Sequence, residues 1–201
     1  LSNYNRIVNQ RNHLLKDLAR QEAAGSSLAE TLDIWDMQLA GYGEKIIKAR
    51  KKFVIQVNDI ISDIHRRLTG GQENIEVKYE PDTKGQPLQE ALRRGRERDL
   101  RMRSTGCGPH RDDICFMTNG IDIRKFGSQG QQRTAALSLK LSEIELVRLV
   151  TKDTPILLLD DVLSELDKYR QNYLLDNIHD IQALITCTGV DEFVNHRFAI
   201  N

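Results

Sequence analysis

Hydrophobic residues return every three or four positions through the first third of the chain, in two series separated by a polar break at residues 23–27. The members are Tyr4, Val8, Arg11, Leu15 and Leu18, then Leu28, Leu32, Trp35, Leu39, Tyr42, Ile46, Ala49, Phe53, Ile60 and Ile64, with Arg11 as a charged member. This spacing places them along one face of a helix. Two neighbouring helices are therefore predicted as an antiparallel lobe or arm, formed either by core-facing amphipathic helices or by a coiled coil.

The second predicted helix carries two local signals. Ser27 and Glu30 have the spacing of a capping box, in which each side chain binds a free backbone N–H of the first turn. Gly41 and Gly43 lie within one turn. They are expected to bend the helix, because each glycine costs about 1 kcal/mol relative to alanine in a helix interior.

The centre of the chain mixes strand and helix signals. Residues 75–79 alternate like a half-buried strand, and residues 113–117 and 121–123 flank Asn119-Gly120, a strong signal for a β-hairpin. Between them, residues 88–103 form a predicted helix with six arginines against three acids. Such a run usually marks a solvated helix face. Contact with phosphate groups is the alternative, which the bidentate geometry of guanidinium supports.

The last third predicts an α/β arrangement. A helix over residues 128–150, a continuous apolar strand over 155–159, a helix over 167–179 and a strand over 183–186 follow one another. This order of a helix, a buried strand, a helix and another strand favours parallel pairing of the two strands. The predicted fold class is α/β with a helical lobe, with a boundary near residue 70 that separates a helical arm (1–70) from an α/β portion (71–201).

Composition narrows the class of protein. Lysine and arginine number 29, as do the acids, and hydrophobic residues make up 39% of the 201 positions, which excludes a disordered charged tail. The apolar runs are too short for a membrane span, and the three cysteines fit a reducing compartment. We expect a soluble cytoplasmic protein. The first residues show neither an initiator Met nor a signal peptide, so the chain is expected to be a piece of a longer protein.

The apolar strand at residues 155–159 ends in Asp160-Asp161. In open parallel sheets ligands bind at the carboxyl ends of strands, so these carboxylates lie where a metal-bound nucleotide would sit. Asp160 could hold Mg²⁺ directly or through water, and Asp161 could orient or deprotonate an attacking water. The alternative for this pair is an ordinary cap of the following turn.

Ser128 begins a second candidate site, at the start of the long helix over residues 128–150. Its hydroxyl, the N–H of Gly130 and the positive end of the helix dipole point to one place, which suits an anionic phosphate. A plain N-cap by Ser128 is the alternative. The order and spacing of this helix, Asp160-Asp161, residues 163–167 and residues 184–188 favour a nucleotide site over two unrelated caps.

Three motifs resemble the carboxyl-terminal part of the RecF family of bacterial recombination-mediator ATPases, which is related to SMC and ABC-type ATPase heads. They are Gly108-Pro-His-Arg-Asp-Asp113, Ser128-Gln-Gly-Gln-Gln-Arg133 and Leu157-Leu-Leu-Asp-Asp-Val-Leu-Ser-Glu-Leu-Asp167. The resemblance covers the whole chain, and the arm-like helices match more loosely. It implies the carboxyl-terminal part of a P-loop ATPase head with an α-helical arm.

The resemblance assigns roles residue by residue. The signature motif, which contacts the ATP of a partner subunit, is Ser128, Gln129, Gly130 and Gln131. Asp160 and Asp161 match the Walker B pair, with Asp160 supporting Mg²⁺ and Asp161 catalytic. Asp167 matches the D-loop, and Thr188 takes the switch position, where many ABC-type heads carry His. The run of arginines, rather than the resemblance, is the basis for expecting DNA contact through Arg93, Arg94, Arg96 and Arg98.

The family's P-loop, G-x-x-x-x-G-K-[ST], is absent from these 201 residues. Without it, tight ATP binding by this chain alone is not expected. For the complete protein the resemblance implies slow ATP hydrolysis, an ATP-dependent homodimer, and binding of gapped or duplex DNA. It also implies work with RecR and RecO to load RecA, support of the SOS response, and a nucleoid-associated cytoplasmic location.

Two other functions remain open at this point. A metal-dependent phosphodiesterase could use Asp112, Asp113, Asp160 and Asp161, since two-metal sites need clustered carboxylates, but it would leave residues 128–133 without a role. A non-enzymatic helical DNA-binding module could rest on the arginine-rich helix. A zinc site formed by Cys107, His110, Asp112 and Cys115 is disfavoured because their spacing lacks the paired Cys-x₂-Cys form. A polar network of His110, Arg111 and Asp112 is favoured instead.

Overall fold

The structure is a computed structural model that describes residues 1–19, 26–163 and 166–186. Its described part divides into two compact units, each made of two chain segments. The first comprises residues 1–55 and 77–115, and the second comprises residues 56–76 and 116 onward. The predicted domain boundary near residue 70 falls within a segment of the second unit. Because a compact unit is not by itself an independently folding domain, that boundary stays a prediction.

Helices and short strands alternate along the described residues. The helices are α1 (Ser2–Leu18), α2 (Ser26–Leu68), α3 (Leu88–Met102), α4 (Ile123–Phe126), α5 (Gln129–Thr151) and α6 (Lys168–Asn177). The strands are β1 (Ile75–Glu80), β2 (Asp113–Thr118), β3 (Ile121–Asp122), β4 (Leu157–Asp160) and β5 (Ala183–Thr186). A 3₁₀ turn occupies Pro109–Arg111. The elements predicted from periodicity are present, with ends that differ by a few residues.

The core of the first unit contains a charged residue. Helix α1 buries Tyr4, Ile7, Arg11 and Leu15, a 3-4-4 spacing in which Ile7 replaces the predicted Val8. Arg11 is fully buried, and its guanidinium donates to Asp36 at 2.6 Å and to Asp99 at 2.8 Å. Buried charges persist when they are paired and hydrogen-bonded. Arg11 is therefore the centre of a buried ion-pair network that joins three helices.

Helix α2 runs without interruption past both of its glycines, so the expected bend is not needed to explain them. A Cβ added at Gly41 would meet nothing nearby, whereas one at Gly43 would collide with the Leu88 side chain and press on Tyr4. Gly43 therefore permits close packing of α2 against α3. The helix begins at Ser26, and the Ser27 side chain of the predicted capping box lies outside the described residues.

The predicted hairpin is present, with one strand shorter than expected. Asn119 and Gly120 both have positive φ, 49° and 81°, as the tight two-residue hairpin turn requires. Strands β2 and β3 pair antiparallel, and the three-stranded sheet has the order β1-β2-β3. Strand β3 stops at Asp122 because the Asp122 side chain accepts from the Arg124 N–H and caps α4.

The second unit has the predicted parallel strands. Strands β4 and β5 pair in parallel, with Leu157 opposite Ala183 and Asp160 opposite Thr186. Their inner face packs on a core contributed mainly by α5 and α6, whose buried members are Leu68, Leu137, Leu141, Ile144, Leu159, Leu163, Leu174, Leu175, Ile178 and Ile181.

The prediction that the apolar strand over residues 155–159 is buried is wrong for one of its faces. Leu158 is 71% exposed and Leu184 is 61% exposed, because the core packs against only the opposite face of this two-stranded sheet. Parallel sheets are normally covered on both faces. Among the described helices, none has the length and apolar character needed to cross a membrane.

Candidate functional site

Asp160 and Asp161 stand at the carboxyl end of β4, where the sequence predicted a ligand site. Both residues are exposed. The Thr186 hydroxyl donates to Asp160 Oδ1 at 2.5 Å, and the Asp161 N–H donates to the Thr186 hydroxyl and carbonyl at 3.0 and 3.1 Å. Asp161 has a φ of 52°, a left-handed conformation that Asp tolerates better than most residues. Thr186 thus anchors the Asp160 carboxylate and the backbone of Asp161.

Thr186 is a site residue that the sequence reasoning missed. The sequence singled out Thr188 instead, which lies outside the described residues. The register of the predicted parallel strands could have identified it, because β4 and β5 place Thr186 directly opposite Asp160. Its hydroxyl contacts both the Asp160 carboxylate and the Asp161 N–H, so Thr186 orients Asp160 and fixes the backbone from which the Asp161 side chain extends.

The turn before α5 is built by a reciprocal cap. Ser128 Oγ accepts from the Gln131 N–H at 3.2 Å, and Gln131 Oε1 accepts from the Ser128 N–H at 2.9 Å. This capping box satisfies two N–H groups of the first turn. Ser128, Gln129 and Gly130 are exposed, while Gln131 is half-buried and its amide also donates to Glu73 Oε1 at 3.0 Å. The turn over residues 128–131, called the signature turn below after its predicted role, is therefore held by two reciprocal hydrogen bonds and is open to solvent.

Asp167 lies at the N-terminus of α6 and caps it. Its carboxylate accepts from the Arg170 N–H at 3.0 Å and forms an ion pair with the Arg170 guanidinium. These contacts, the backbone hydrogen bond first, hold the pKa of Asp167 below its ordinary value. The Gln171 amide donates to the carbonyls of Leu163 and Leu166 at 2.7 and 3.0 Å, which ties α6 to the loop before it.

The four arginines assigned to DNA differ in their surroundings. Arg96 forms ion pairs with Asp33 and Asp36, and Arg98 lies 3.2 Å from Asp99. Arg94 pairs with Glu90 one turn earlier, at 2.5 Å. Arg93 is exposed and has no ion-pair partner in the described part of the chain. Arg101 is likewise exposed and without an ion-pair partner among the described residues, although the sequence analysis did not assign it to DNA. Internal neutralisation of charge thus accounts for part of the arginine run.

Asp112, one carboxylate of the phosphodiesterase hypothesis, is engaged in polar contacts within the first unit. The Asp112 side chain is buried and accepts from Arg50 at 2.9 Å, from the Asp82 N–H at 3.0 Å and from the Tyr79 hydroxyl. Burial and Asp112 together raise the pKa of Tyr79 above its ordinary value. Residues 1–19, 26–163 and 166–186 contain no group of three or more His, Cys, Asp or Glu arranged to hold a metal.

The loop around residues 106–113 is fixed by polar contacts other than the predicted network. His110 Nδ1 meets the Tyr4 hydroxyl at 2.8 Å, and its Nε2 meets the Thr105 carbonyl at 3.1 Å. Asp112 instead pairs with Arg50 and Tyr79. Cys107 is buried, and burial raises the pKa of its thiol to about 12, which keeps it protonated.

Known proteins resemble this chain over its full length. No model of a protein family matches it. It is 61% identical to the DNA replication and repair protein RecF of Lachnospira eligens and 54% identical to that of Agathobacter rectalis. Both matches cover the whole chain, but only 55% and 54% of the relatives. The chain thus spans about half the length of these relatives.

A solved structure of the recombination mediator protein RecF with ATP, in the RecFOR pathway, superposes with a TM-score of 0.83 at 37% identity. The match covers 95% of this chain and 52% of that one. A second, with an ATP analogue, gives 0.82 over 94% of the chain. The predicted fold class, part of an ABC/SMC-type ATPase head with helical elements, is confirmed. Identity of 61% along all 201 residues, together with this shared fold, shows that the chain belongs to the RecF family.

Proposed function

We propose that this chain supplies the signature and Walker B half of a RecF-type ATPase that acts as a recombination mediator in DNA replication and repair. The observation that carries the proposal is the exposed Asp160-Asp161 pair, oriented by Thr186 at the carboxyl end of a parallel strand. Sites at this edge of an α/β sheet bind nucleotides through the loops that follow the strands. Relatives that match the whole chain carry the RecF name, and a solved RecF structure contains ATP.

Each candidate residue then has a chemical task. Ser128, Gln129, Gly130 and Gln131 contact the phosphates of an ATP held by a partner subunit, because the turn is exposed and lies at the positive end of α5. Asp161 accepts the proton of the attacking water. Asp167 lies in the D-loop between subunits, and Thr188 takes the switch position.

The donor atoms at the end of β4 fit Mg²⁺. Magnesium prefers hard oxygen ligands and keeps several of its waters, and Asp160 Oδ1 with the Thr186 hydroxyl offers such oxygens in an exposed position. When bound, Mg²⁺ neutralises charge on the phosphates. Asp160 would hold it through water, while Thr186 keeps that carboxylate in place.

The other half of the nucleotide site is a P-loop, which these 201 residues lack. In the complete protein the P-loop and Asp160 of one subunit would face Ser128 and Gly130 of the other, so ATP would lie between two subunits and favour a homodimer. We expect the dimer to bind gapped or duplex DNA in the cytoplasm, near the nucleoid. There it would work with RecR and RecO to help load RecA, and so support the SOS response.

A chimera tests this function. It joins this chain to the portion of the Lachnospira eligens relative that lies outside the match. The isolated 201-residue chain is expected to show no ATPase activity, whereas the chimera is expected to hydrolyse ATP slowly in Mg²⁺ and to dimerise with ATP. Phosphate release and analytical ultracentrifugation measure the two results. DNA cleavage by the isolated chain in Mg²⁺ or Mn²⁺ would contradict the proposal and favour a phosphodiesterase.

DNA contact by α3 gives a second prediction. Of the exposed arginines on this helix, Arg93 and Arg101 lack an ion-pair partner among the described residues, so they are the ones free to bind phosphate. Replacing both with Gln in the chimera should weaken DNA binding. It should also reduce the slope of log affinity against log salt by about 1 for each phosphate that is no longer bound. Fluorescence anisotropy at several salt concentrations measures this.

Lys140→Gln is the matched control for this experiment. Lys140 is an exposed base on α5 that already pairs with Glu143 at 2.9 Å. Its substitution removes one positive charge while leaving α3 intact. A salt slope that stays the same in the double arginine variant would assign these arginines to ordinary helix solvation.

A further inference from the structure

A polar cluster connects the signature turn to the end of α2. Its members are His65, Glu73, Gln131 and Ser138. Glu73 Oε1 accepts from the Gln131 amide at 3.0 Å, and Glu73 Oε2 lies 3.3 Å from His65 Nε2. His65 Nδ1 lies 2.9 Å from Ser138 Oγ, two turns into α5. His65 and Ser138 are fully buried, and the Glu73 side chain is 22% exposed.

The backbone after α2 holds Glu73 in place. The Thr69 hydroxyl donates to the His65 carbonyl at 2.9 Å and accepts from the Glu73 N–H at 3.4 Å. Gly70 and Gly71 have φ values of 61° and 82°, and the Gly71 N–H closes the helix on the Arg66 carbonyl at 2.7 Å. This helix ending supports a carboxylate that reaches the first turn of α5.

One proton in the cluster depends on pH, namely the proton on His65 Nε2. Ser138 donates its only hydroxyl hydrogen to the Thr134 carbonyl at 2.8 Å, so it accepts from His65 Nδ1–H. His65 Nε2 faces a carboxylate, and that contact is attractive only when Nε2 also carries a proton. Burial lowers the pKa of His65, Glu73 opposes this effect, and the Arg170 charge adds to it. The His65–Glu73 contact therefore changes when His65 titrates.

We propose that Glu73 is the positioning residue of the signature turn. One carboxylate oxygen holds Gln131, and the other engages His65, so the hold on the first turn of α5 depends on the His65 proton. This inference rests on the proposed function, because the turn matters only where residues 128–131 contact nucleotide. Glu73 itself need not touch ATP.

The first test uses NMR on the isolated chain. The Gln131 side-chain amide signal is expected to titrate together with the His65 ring nitrogens, at a midpoint below the ordinary 6.5 of histidine. In Glu73→Gln the amide can accept from Gln131 and donate to neutral His65. The Gln131 signal should then keep its position at pH 8 and stop titrating with His65. Two results would overturn the proposal: a Gln131 signal that does not change when His65 titrates, or one whose pH dependence is the same in Glu73→Gln as in the unsubstituted chain.

The second test uses the chimera at pH 8. Glu73→Ala should raise the ATP concentration needed for half-maximal dimerisation roughly tenfold, the scale expected when a charge-assisted hydrogen bond is removed. Glu73→Gln should stay within about twofold of the unsubstituted chimera. Glu80→Ala, an exposed carboxylate on β1, is the matched control and should have no effect. Circular dichroism and thermal melting establish that each variant is folded.

The outcomes separate the two proposals. A folded Glu73→Ala chimera that dimerises at ordinary ATP concentrations would overturn the positioning role. Should Glu73→Ala unfold, the pH titration of Glu73→Gln decides the question alone. Failure of the unsubstituted chimera to dimerise would contradict the proposed function instead. In that case, a displaced Gln131 signal in Glu73→Ala, with rescue in Glu73→Gln, would still support positioning by Glu73.

Discussion

Asn in place of Asp161 is expected to abolish ATP hydrolysis by the chimera while leaving its ATP-dependent dimerisation intact. The amide cannot accept the proton of the attacking water, and a positioned general base contributes about a hundredfold or more to a rate. Asn has nearly the same shape as Asp and tolerates the left-handed φ of 52° at this position. The backbone contacts of residue 161 with Thr186 would therefore persist.

Phosphate release under saturating ATP measures the rate, and sizing with ATP measures dimerisation. Asp59→Asn is the matched control, because Asp59 is exposed on α2 and its neutralisation leaves the end of β4 unchanged. Asp160→Asn should differ from Asp161→Asn by raising the Mg²⁺ concentration needed for activity. Hydrolysis at the unsubstituted rate in Asp161→Asn would remove Asp161 from the proposed catalytic role.

Arg11→Met is expected to destabilise the chain by about 3 to 5 kcal/mol, the usual cost of removing one partner from a buried ion pair. Arg11 is 0% exposed and donates to Asp36, Asp99 and the Thr105 hydroxyl. Methionine fills a similar volume but leaves Asp36 and Asp99 with fewer partners. Asp36 keeps its contact with Arg96, and Asp99 keeps the Gly106 N–H at 3.0 Å. The loss of stability should therefore be smaller than if both carboxylates were left without a partner.

Urea unfolding followed by circular dichroism gives the free energy of unfolding. Arg6→Met on the exposed face of α1 is the matched control and should change stability by less than about 0.5 kcal/mol. The free energy of unfolding of Arg11→Lys should lie between those of Arg11→Met and Arg6→Met. A lysine keeps the charge but lacks the planar guanidinium that reaches two carboxylates. An Arg11→Met variant as stable as Arg6→Met would show that the buried network contributes little net stability.

The buried arginine shows where periodicity is informative and where it stops. A 3-4 spacing in a sequence identifies the buried face of a helix, and this spacing alone assigns Arg11 to that face. Its partners, Asp36 and Asp99, are 25 and 88 positions away. No local pattern relates residues at such separations. The sequence therefore suggests phosphate contact for the arginine-rich helix, although Arg96 pairs with Asp36, which is 60 positions away.

In the candidate site, too, features that depend on neighbours in sequence could be predicted and long-range contacts could not. Strand β4, the carboxylates after it and the cap at Ser128 each depend on neighbours within a few positions, and these features could be predicted. Thr186 and Glu73 could not. Thr186 reaches Asp160 through a parallel register across 26 positions, and Glu73 reaches Gln131 across 58. Their residue types, a threonine in a strand and a glutamate in a turn, are common in any fold.

By itself the sequence determined the order of helices and strands, the parallel pair, the hairpin and the three motifs of the RecF family. Each depends on short-range periodicity, turn chemistry or residue identity in a row. Only the tertiary structure decided which polar groups meet: the Arg11 centre, the Thr186 contact with Asp160, and the Glu73 link to the signature turn. It also decided which face of the β4–β5 pair packs against α5 and α6, because burial of a strand face depends on what packs against it, and that is not encoded in the strand.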